Sequence, residues 1–262
     1  WLDPGDPPYD EIGLLNLGLS EQSRDRLSRY VSTIVEPGWD FEVDPLVRET
    51  RPHVRALLAR PKLRSYFPGR DLYLWLDADM WVQERVAIDW YFTAARNGRI
   101  GLVPSGDRSY VYHPTHIQWR WQNLRKYFGD DALRLYHFNQ YYNAGAFSLR
   151  HDAPHWDSWA NWFERALAVD DSLICDQAVL NYAIWKDGLA VSPLPSLCNW
   201  LCQYRIPGFD VATGRYHEPH IPHAPIGILH LAGKSKYATV EARHNGNLLE
   251  FNLRYGGLKA AL

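Results

Sequence analysis

Hydrophobic positions along this chain follow two periods, one typical of strands and one typical of helices. Short apolar runs predict strands at EIGLLNLGLS, TIVEPGWDF, DLYLWLDA, RIGLVPSG, AGAFSLR, LAVSPLP and IGILHLAG. Apolar residues three and four positions apart predict helices at SEQSRDRLSRYV, HVRALLAR, KLRSYF, AIDWYFTAARNG, THIQWRWQNLRKYFG, HWDSWANWFERALA and SLICDQAVLNYAIWKDG. Strands that alternate with helices in this way predict an α/β fold whose sheet is covered by helices on both faces.

Proline and glycine set the limits of several predicted elements. Pro61 separates two short helices, because proline in a helix interior removes a hydrogen bond and clashes with the preceding turn. Gly188 ends the last predicted helix. The stretch 206–225 is rich in proline, glycine and histidine and predicts a long loop. Because the chain contains no internal repeat and no low-complexity linker, we predict one domain over residues 1–262.

Composition and charge exclude several classes of protein. The 262 residues are 46% hydrophobic, enough for a sizeable core, and a formal net charge of -2 gives no electrostatic reason to expect a nucleic-acid partner. No apolar run reaches the roughly 18 residues of a membrane span. The three cysteines, Cys175, Cys198 and Cys202, are too few for a disulfide framework, so we expect buried thiols and a reducing, cytoplasmic setting.

Two carboxylates, Asp77 and Asp79, follow directly on the apolar run DLYLWL. Ligands in open α/β sheets bind beyond the carboxyl ends of strands, and side chains two apart on an extended chain point the same way. A divalent cation between the two carboxylates would offset their repulsion and could hold a diphosphate. A surface turn is the alternative, since short aspartate pairs are common there.

Small and polar residues also surround two later elements. In YYNAGAFSL, Asn143, Ala144 and Gly145 stand before a predicted strand, where small residues let a ligand approach the backbone. An ordinary turn is the alternative. In CDQAVLN, Asp176 and Gln177 begin a predicted helix, where an acidic residue is also favoured by the helix dipole without any function.

The segment ILHLAGKSK places His230, Gly233 and Lys236 after an apolar strand. An imidazole can complete a metal shell, a glycine lets a phosphate approach the backbone, and a lysine supplies a point charge. A lone histidine in this position is more often structural, but the full spacing is more specific.

Histidines elsewhere offer a rival site. His217, His220 and His223 in HEPHIPH could bind zinc and activate water, as in a hydrolase. Prolines within this segment exclude a regular helix, so a loop that lines an acceptor site is the alternative. His113 and His116 are predicted to be surface residues, with a position near an acceptor as the second interpretation.

The ordered set LDAD, NAGAF, DQAVLN, LPSLCNW and HLAGKSK resembles glycosyltransferase family 8, which includes bacterial lipopolysaccharide galactosyltransferases and glycogenin. The resemblance spans residues 12–237. It implies the GT-A fold, with a mixed, mostly parallel central sheet. It also implies a retaining glycosyltransferase that moves a hexose from a nucleotide sugar, usually a UDP-sugar, to a saccharide or other hydroxyl acceptor.

The resemblance also implies a role for each matching residue. Asp77 and Asp79 resemble the metal ligands of the D-x-D motif, and His230 resembles the third ligand. Such a mixed shell suits Mn²⁺ better than Mg²⁺, which is the second choice. The remaining matches concern the nucleotide sugar: Gly233 and Lys236 for the diphosphate; Asn143, Ala144, Gly145, Asp176 and Gln177 for the donor sugar; Arg60 near the donor.

This chain departs from the family pattern at three places. The family's first strand and loop, which hold the uracil ring, would precede EIGLLNLGLS, and we expect them to be cut away or replaced by residues 1–10. After Lys236 the family has Pro-Trp, whereas Tyr237 and Ala238 follow here. Pro61 directly follows Arg60 and is expected to shift that arginine.

Within this interpretation Gln177 lies beneath the sugar and Asp176 contacts a sugar hydroxyl. Retention then favours attack from the same face as the leaving group, with the departing phosphate as base, because an amide is a poor nucleophile. The alternative function is a catalytically silent module of the same fold that binds a nucleotide sugar or a glycan.

Overall fold

The computed structural model describes residues 9–171, 175–244 and 247–257. Within these ranges the α-helices are α1 Glu21–Leu27, α2 Pro45–Thr50, α3 Arg55–Ala59, α4 Leu63–Tyr66, α5 Val86–Arg96, α6 Pro114–Phe138, α7 His155–Val169 and α8 Asp176–Asp187. The strands are β1 Gly13–Leu15, β2 Thr33–Val35, β3 Leu72–Leu76, β4 Met80–Val82, β5 Ile100–Pro104, β6 Tyr142–Arg150, β7 Val191–Pro193, β8 Trp200–Leu201, β9 Gly208–Asp210, β10 Arg215–His217, β11 Ile228–His230, β12 Thr239–His244 and β13 Asn247–Asn252. Short 3-10 helices span Pro52–Val54, Arg60–Lys62, Ser196–Cys198 and Gly233–Tyr237.

A four-stranded sheet with the order β3-β6-β5-β7 forms the centre of the fold. It is mixed, as predicted, but the expected majority of parallel pairings is wrong for this sheet: β6 runs antiparallel to both β3 and β5, and β5 with β7 is the parallel pair. The reason lies in the long connection between β5 and β6. Pro104 at the end of β5 pairs with Tyr142 at the start of β6. The connection therefore leaves β5 and enters β6 at the same end of the two strands, which makes them antiparallel.

Helices cover both faces of this sheet, as the alternation of strands and helices predicted. Phe147 of β6 packs with Trp156 and Trp159 of α7, all of them fully buried. On the opposite face Ser148 donates a hydrogen bond to the Tyr91 carbonyl of α5 at 2.5 Å. Burial of these large aromatic rings stabilises the packing of α7 on the sheet.

Capping residues and a proline end several helices at the positions that the sequence predicted. Ser20 caps α1 by accepting a hydrogen bond from the Ser23 amide, and Gly188 ends α8 in the left-handed conformation with φ 63°. Pro61 lies in a 3-10 turn that separates α3 from α4. Cys175, Cys198 and Cys202 are free and buried, as expected.

Other sequence expectations differ from the structure. The predicted loop 206–225 contains the β9–β10 hairpin, and β12 pairs with β13 in a further hairpin. The predicted helix THIQWRWQNLRKYFG continues beyond Gly129, where non-helical dihedral angles interrupt α6. We expected residues 1–10 to replace the family's first strand and loop, but residues 1–8 lie outside the described residues. Residues 172–174 of the last predicted helix also lie outside them. Across the described ranges, every helix is too short or too polar to cross a bilayer.

Candidate metal and nucleotide-sugar site

The two aspartates of LDAD lie in a turn that connects two sheets. The Asp77 amide donates to the Gly145 carbonyl at 2.9 Å, which continues the pairing of β3 with β6. The Asp79 carbonyl accepts from the Leu231 amide at 2.9 Å, beside β11. A turn closed by the Met80 amide and the Asp77 carbonyl at 3.1 Å separates them. The carboxylates therefore converge through the turn and its two neighbouring strands, rather than by the extended alternation we expected.

Asp77, Asp79 and His230 come together in space as predicted. One ligand atom of each lies within 4.8 Å of the others, and the Asp79 Oδ1 to His230 Nε2 distance is 3.3 Å. A Cβ at Gly145 would lie 2.6 Å from His230 Cε1 and 2.9 Å from Asp77 Oδ2. Because glycine has no side chain, position 145 leaves room for the His230 imidazole and the Asp77 carboxylate to lie next to each other.

Buried amides fix the orientation of His230. Its Nδ1 lies 2.9 Å from Asn199 Oδ1, an acceptor, so Nδ1 carries the proton and Nε2 is free to ligate. Asn199 Nδ2 in turn donates to Asn143 Oδ1 at 2.9 Å. A partner that orients a ligating histidine is the usual outer shell of a metal site, so the residues present fit a divalent ion.

Two neighbouring side chains, His230 and Lys236, favour the charged form of Asp79. Burial alone would raise the pKa of this carboxyl, but His230 and Lys236 outweigh it and lower the pKa to about 2. Lys236 Nζ lies 3.4 Å from Asp79 Oδ2. Gly233, at the start of the same 3-10 helix, has a φ of 60° that favours glycine. Lys236 therefore lies beside the Asp79 carboxylate, and Gly233 begins the 3-10 helix that carries it.

Arg60 bridges the two acidic motifs from a buried position. It forms ion pairs with Asp77 at 2.5 Å and with Asp176, and it is 6% exposed. Burial would lower the pKa of this guanidinium, but the two carboxylates raise it above its ordinary value. The Trp75 indole lies under the guanidinium and donates to Asp77 Oδ1 at 2.7 Å. Pro61 thus does not move Arg60 away from the site.

Gln177 is tied to the start of β6. Its Oε1 accepts from Asn143 Nδ2 at 3.0 Å and from the Ala144 amide at 3.2 Å. Asp176 is buried, and burial raises its pKa while the Arg60 ion pair opposes the rise. The amide oxygen of one residue and the carboxylate of the other are therefore both already engaged within the protein.

The rival histidine site is not supported. The Nδ1 atoms of His217 and His223 both lie near the Glu218 carbonyl, at 2.7 and 3.3 Å. Among the described residues, one group of three or more His, Cys, Asp or Glu side chains has its ligand atoms close enough to share a metal ion. That group is Asp77, Asp79 and His230. His217, His220 and His223 do not form such a group. His113 is exposed at the start of α6, and His116 packs against Tyr204 at 5.3 Å between ring centroids.

Sequence reasoning missed Asn199 and Trp75 as parts of the site. Asn199 lies in the motif LPSLCNW, to which the sequence analysis assigns no functional residue. Trp75 occupies an apolar position of a predicted strand. The sequence does contain a signal for Asn199, because a polar residue within a largely apolar motif is expected to be buried and therefore to have a hydrogen-bond partner. The contact of Trp75 with Asp77 has no signal in the sequence pattern.

Comparison with known proteins identifies related folds. Neither a family model nor a curated protein matches the chain. Among solved structures, the galactosyltransferase LgtC in complex with donor and acceptor sugar analogues matches at 18% identity and a TM-score of 0.51, over 86% of this chain and 77% of that chain. An active-site mutant of LgtC matches at 18% identity and a TM-score of 0.49, over 85% of this chain and 76% of that chain. The similarity confirms the predicted α/β fold of the GT-A type.

Proposed function

We propose that this chain is a retaining glycosyltransferase of the family 8 type, forming one catalytic domain, which moves a hexose from a UDP-sugar to a hydroxyl acceptor. The observation that carries the proposal is the convergence of Asp77, Asp79 and His230 with Lys236 at the end of β3. The GT-A fold of the chain and the donor and acceptor sugar analogues bound to LgtC support the same reaction class.

In this proposal Asp77, Asp79 and His230 hold a divalent ion, with Mn²⁺ preferred because the shell mixes carboxylate and imidazole. The bound ion supplies charge neutralisation for the leaving diphosphate. Lys236 adds a positive charge on the same side, and the left-handed backbone of Gly233 allows a phosphate to approach closely.

The sugar lies against Asn143, Ala144, Gly145, Asp176 and Gln177 in the proposed complex. Because Gln177 Oε1 already accepts two hydrogen bonds, its amide hydrogens remain to orient the sugar. Asp176 is paired with Arg60 and accepts from a sugar hydroxyl rather than attacking carbon.

Retention follows from attack on the face that the phosphate leaves. The acceptor oxygen bonds to the anomeric carbon as the bond to the phosphate oxygen breaks, and the departing phosphate takes the hydroxyl proton. This order suits a site whose buried Asp176 carboxylate is neutralised by Arg60, because such a carboxylate is a poor nucleophile. The buried, unpaired cysteines support a reducing, cytoplasmic setting for the reaction.

Titration calorimetry of UDP tests the donor site, with and without Mn²⁺, on the wild-type chain and on Asp79→Asn. We expect binding that requires Mn²⁺ and is lost in Asp79→Asn. The control is Asp89→Asn, which removes a half-exposed carboxylate of α5 and should leave binding unchanged. Binding indifferent to both Mn²⁺ and Asp79 would refute the assignment.

Turnover separates the enzyme from the silent module of the same fold. Release of UDP from a panel of UDP-sugars in the presence of saccharide acceptors is the expected result. Metal-dependent UDP binding without turnover on any donor would favour the silent module, for which the motif residues bind but do not catalyse.

A further inference from the structure

A cleft of about 290 Å³ lies beside β7, the last strand of the central sheet. Trp185 and Gly188 line it from the C-terminal end of α8, and Asn139 and Gln140 line it from the segment that precedes β6. Asn139, Gln140 and Gly188 are exposed, so the cleft is open to solvent. Its volume is near the lower limit of about 300 Å³ for small-molecule sites, which leaves room for one sugar ring.

Trp185 is the largest side chain that lines the cleft, and it is held in a fixed orientation. Its Nε1 donates to the Gln140 carbonyl at 3.1 Å. The rings of Tyr136 and Tyr141 each lie 6.1 Å from it between centroids, and the indole is half-buried. Because its one N–H group is already bonded, the part of the indole that faces the cleft offers apolar ring surface.

Two neutral amides lie beside this ring. Asn139 Nδ2 donates to the Leu135 carbonyl at 2.8 Å, and Gln140 Oε1 has a long contact of 3.5 Å with the Tyr142 hydroxyl. Within the described residues, neither Asn139 Oδ1 nor Gln140 Nε2 has a hydrogen-bond partner. The cleft therefore presents one neutral acceptor and one neutral donor next to an aromatic ring.

The described residues that line the cleft carry no charge, and this limits the ligand. A phosphate or carboxylate would lose water without gaining a cation, and a cationic ligand would meet no carboxylate. A purely apolar ligand would cover the two amides without bonding them. A neutral sugar ring fits both features, because its C–H faces pack on an aromatic ring and its hydroxyls bond to amides as donors and acceptors.

The cleft is separate from the proposed donor site, but two elements connect them. α8 begins at Asp176 and carries Trp185 in its last turn, roughly 13 Å along the axis at the helical rise of about 1.5 Å per residue. Gln140 precedes β6, whose Asn143 donates to Gln177 at 3.0 Å. A saccharide of a few units spans a distance of this size.

We propose that this cleft binds one neutral sugar unit of a saccharide acceptor at a distance from the site of transfer, an inference that rests on the proposed function. The Trp185 ring packs on a face of that sugar, and Asn139 and Gln140 bond its hydroxyls. The acceptor class that follows is a neutral saccharide of more than one unit.

Indole ¹⁵N NMR of the full chain, labelled at tryptophan, tests the cleft directly. Because the chain contains 12 tryptophans, the Trp185 signal is assigned by its absence from Trp185→Phe. The probes are methyl glucoside, methyl galactoside, maltotriose and cellotriose, each titrated to its solubility limit. We expect at least one of them to shift the Trp185 signal and to leave that of Trp90, an exposed tryptophan of α5, unchanged.

A substitution of the exposed amide locates the binding. Gln140→Ala should weaken it by roughly three- to tenfold, the size of one hydrogen bond, and it leaves the backbone carbonyl that holds Trp185 in place. Because Gln140 is exposed, we expect this variant to fold, and a thermal melt checks it. The matched control is Gln122→Ala, which removes an exposed glutamine of α6 and should leave binding unchanged.

Acceptor kinetics give a second measurement with any UDP-sugar that the chain turns over. Gln140→Ala should raise KM for a trisaccharide acceptor by the same factor and leave kcat and the KM of a monosaccharide acceptor unchanged. An equal rise in KM for both acceptors would overturn the proposal, since the amide would then act at the transfer site.

The outcomes separate this proposal from the proposed function. An unmoved Trp185 signal with every probe, while Mn²⁺-dependent UDP binding is intact, would overturn the cleft assignment alone. A shift that Gln140→Ala does not weaken would also overturn it. A shift that depends on Gln140, in a chain that binds no UDP, would support the cleft and overturn the donor assignment.

Discussion

Replacing Asn199 with leucine tests whether His230 is held as a metal ligand by its buried partner. Asn199 is fully buried, and leucine has a similar volume without hydrogen-bonding groups. The substitution removes the acceptor of His230 Nδ1 and the donor to Asn143 Oδ1, both at 2.9 Å. Asn143 Oδ1 keeps the Gly145 amide at 2.9 Å, so the main loss falls on His230.

The expected size of the effect follows from these contacts. A buried N–H left without an acceptor costs about 1–3 kcal/mol in the free energy of unfolding. Loss of the partner that orients a ligating histidine typically weakens metal binding by about 10- to 100-fold. We therefore expect both a lower urea midpoint and a Mn²⁺ dissociation constant raised by about that factor.

Electron paramagnetic resonance of free Mn²⁺ measures the affinity, and urea unfolding measures the stability. Asn199→Asp is the matched variant, because its carboxylate still accepts from His230 Nδ1 while the contact with Asn143 is lost. It should retain Mn²⁺ affinity within a few-fold. A folded Asn199→Leu that binds Mn²⁺ as the wild type does would refute the reasoning, and an equal loss in both variants would assign the effect to Asn143 instead.

Three further substitutions probe the site and the core. Gly145→Ala should abolish Mn²⁺ binding in calorimetry while the circular dichroism spectrum is retained, because the added methyl would lie 2.6 Å from His230 Cε1. Arg60→Met leaves Asp176 buried without its cation and should lower the free energy of unfolding by about 3–5 kcal/mol in urea; an unchanged midpoint would contradict the buried ion pair. Burial lowers the pKa of His155, so the unfolded chain binds more protons near pH 6 and stability should fall as pH drops through 6.5. His155→Phe should show a flatter pH dependence of the urea midpoint.

The secondary structure was largely predictable because its signals are local. The stripe of Trp156, Trp159 and Phe163 on α7 follows from helical spacing, and all three are buried as that spacing requires. The serine cap of α1 and the glycine end of α8 were also set by neighbouring residues. The direction of β6 was not, because it depends on where a 37-residue connection, 105–141, returns to the sheet.

The candidate site was also predictable in part from the sequence. Its principal members, Asp77, Asp79 and His230, were identified by the ordered motifs that resemble a known family, and the structure brings them together. The sequence by itself thus determined most of the helices, the four strands of the central sheet and the positions of the metal-site residues. Tertiary structure decided that Arg60 joins two acidic motifs and that Asn199 orients His230. The physical reason is that apolar periodicity is written along the chain, whereas the partner of a buried polar group comes from a distant segment and leaves no periodic trace.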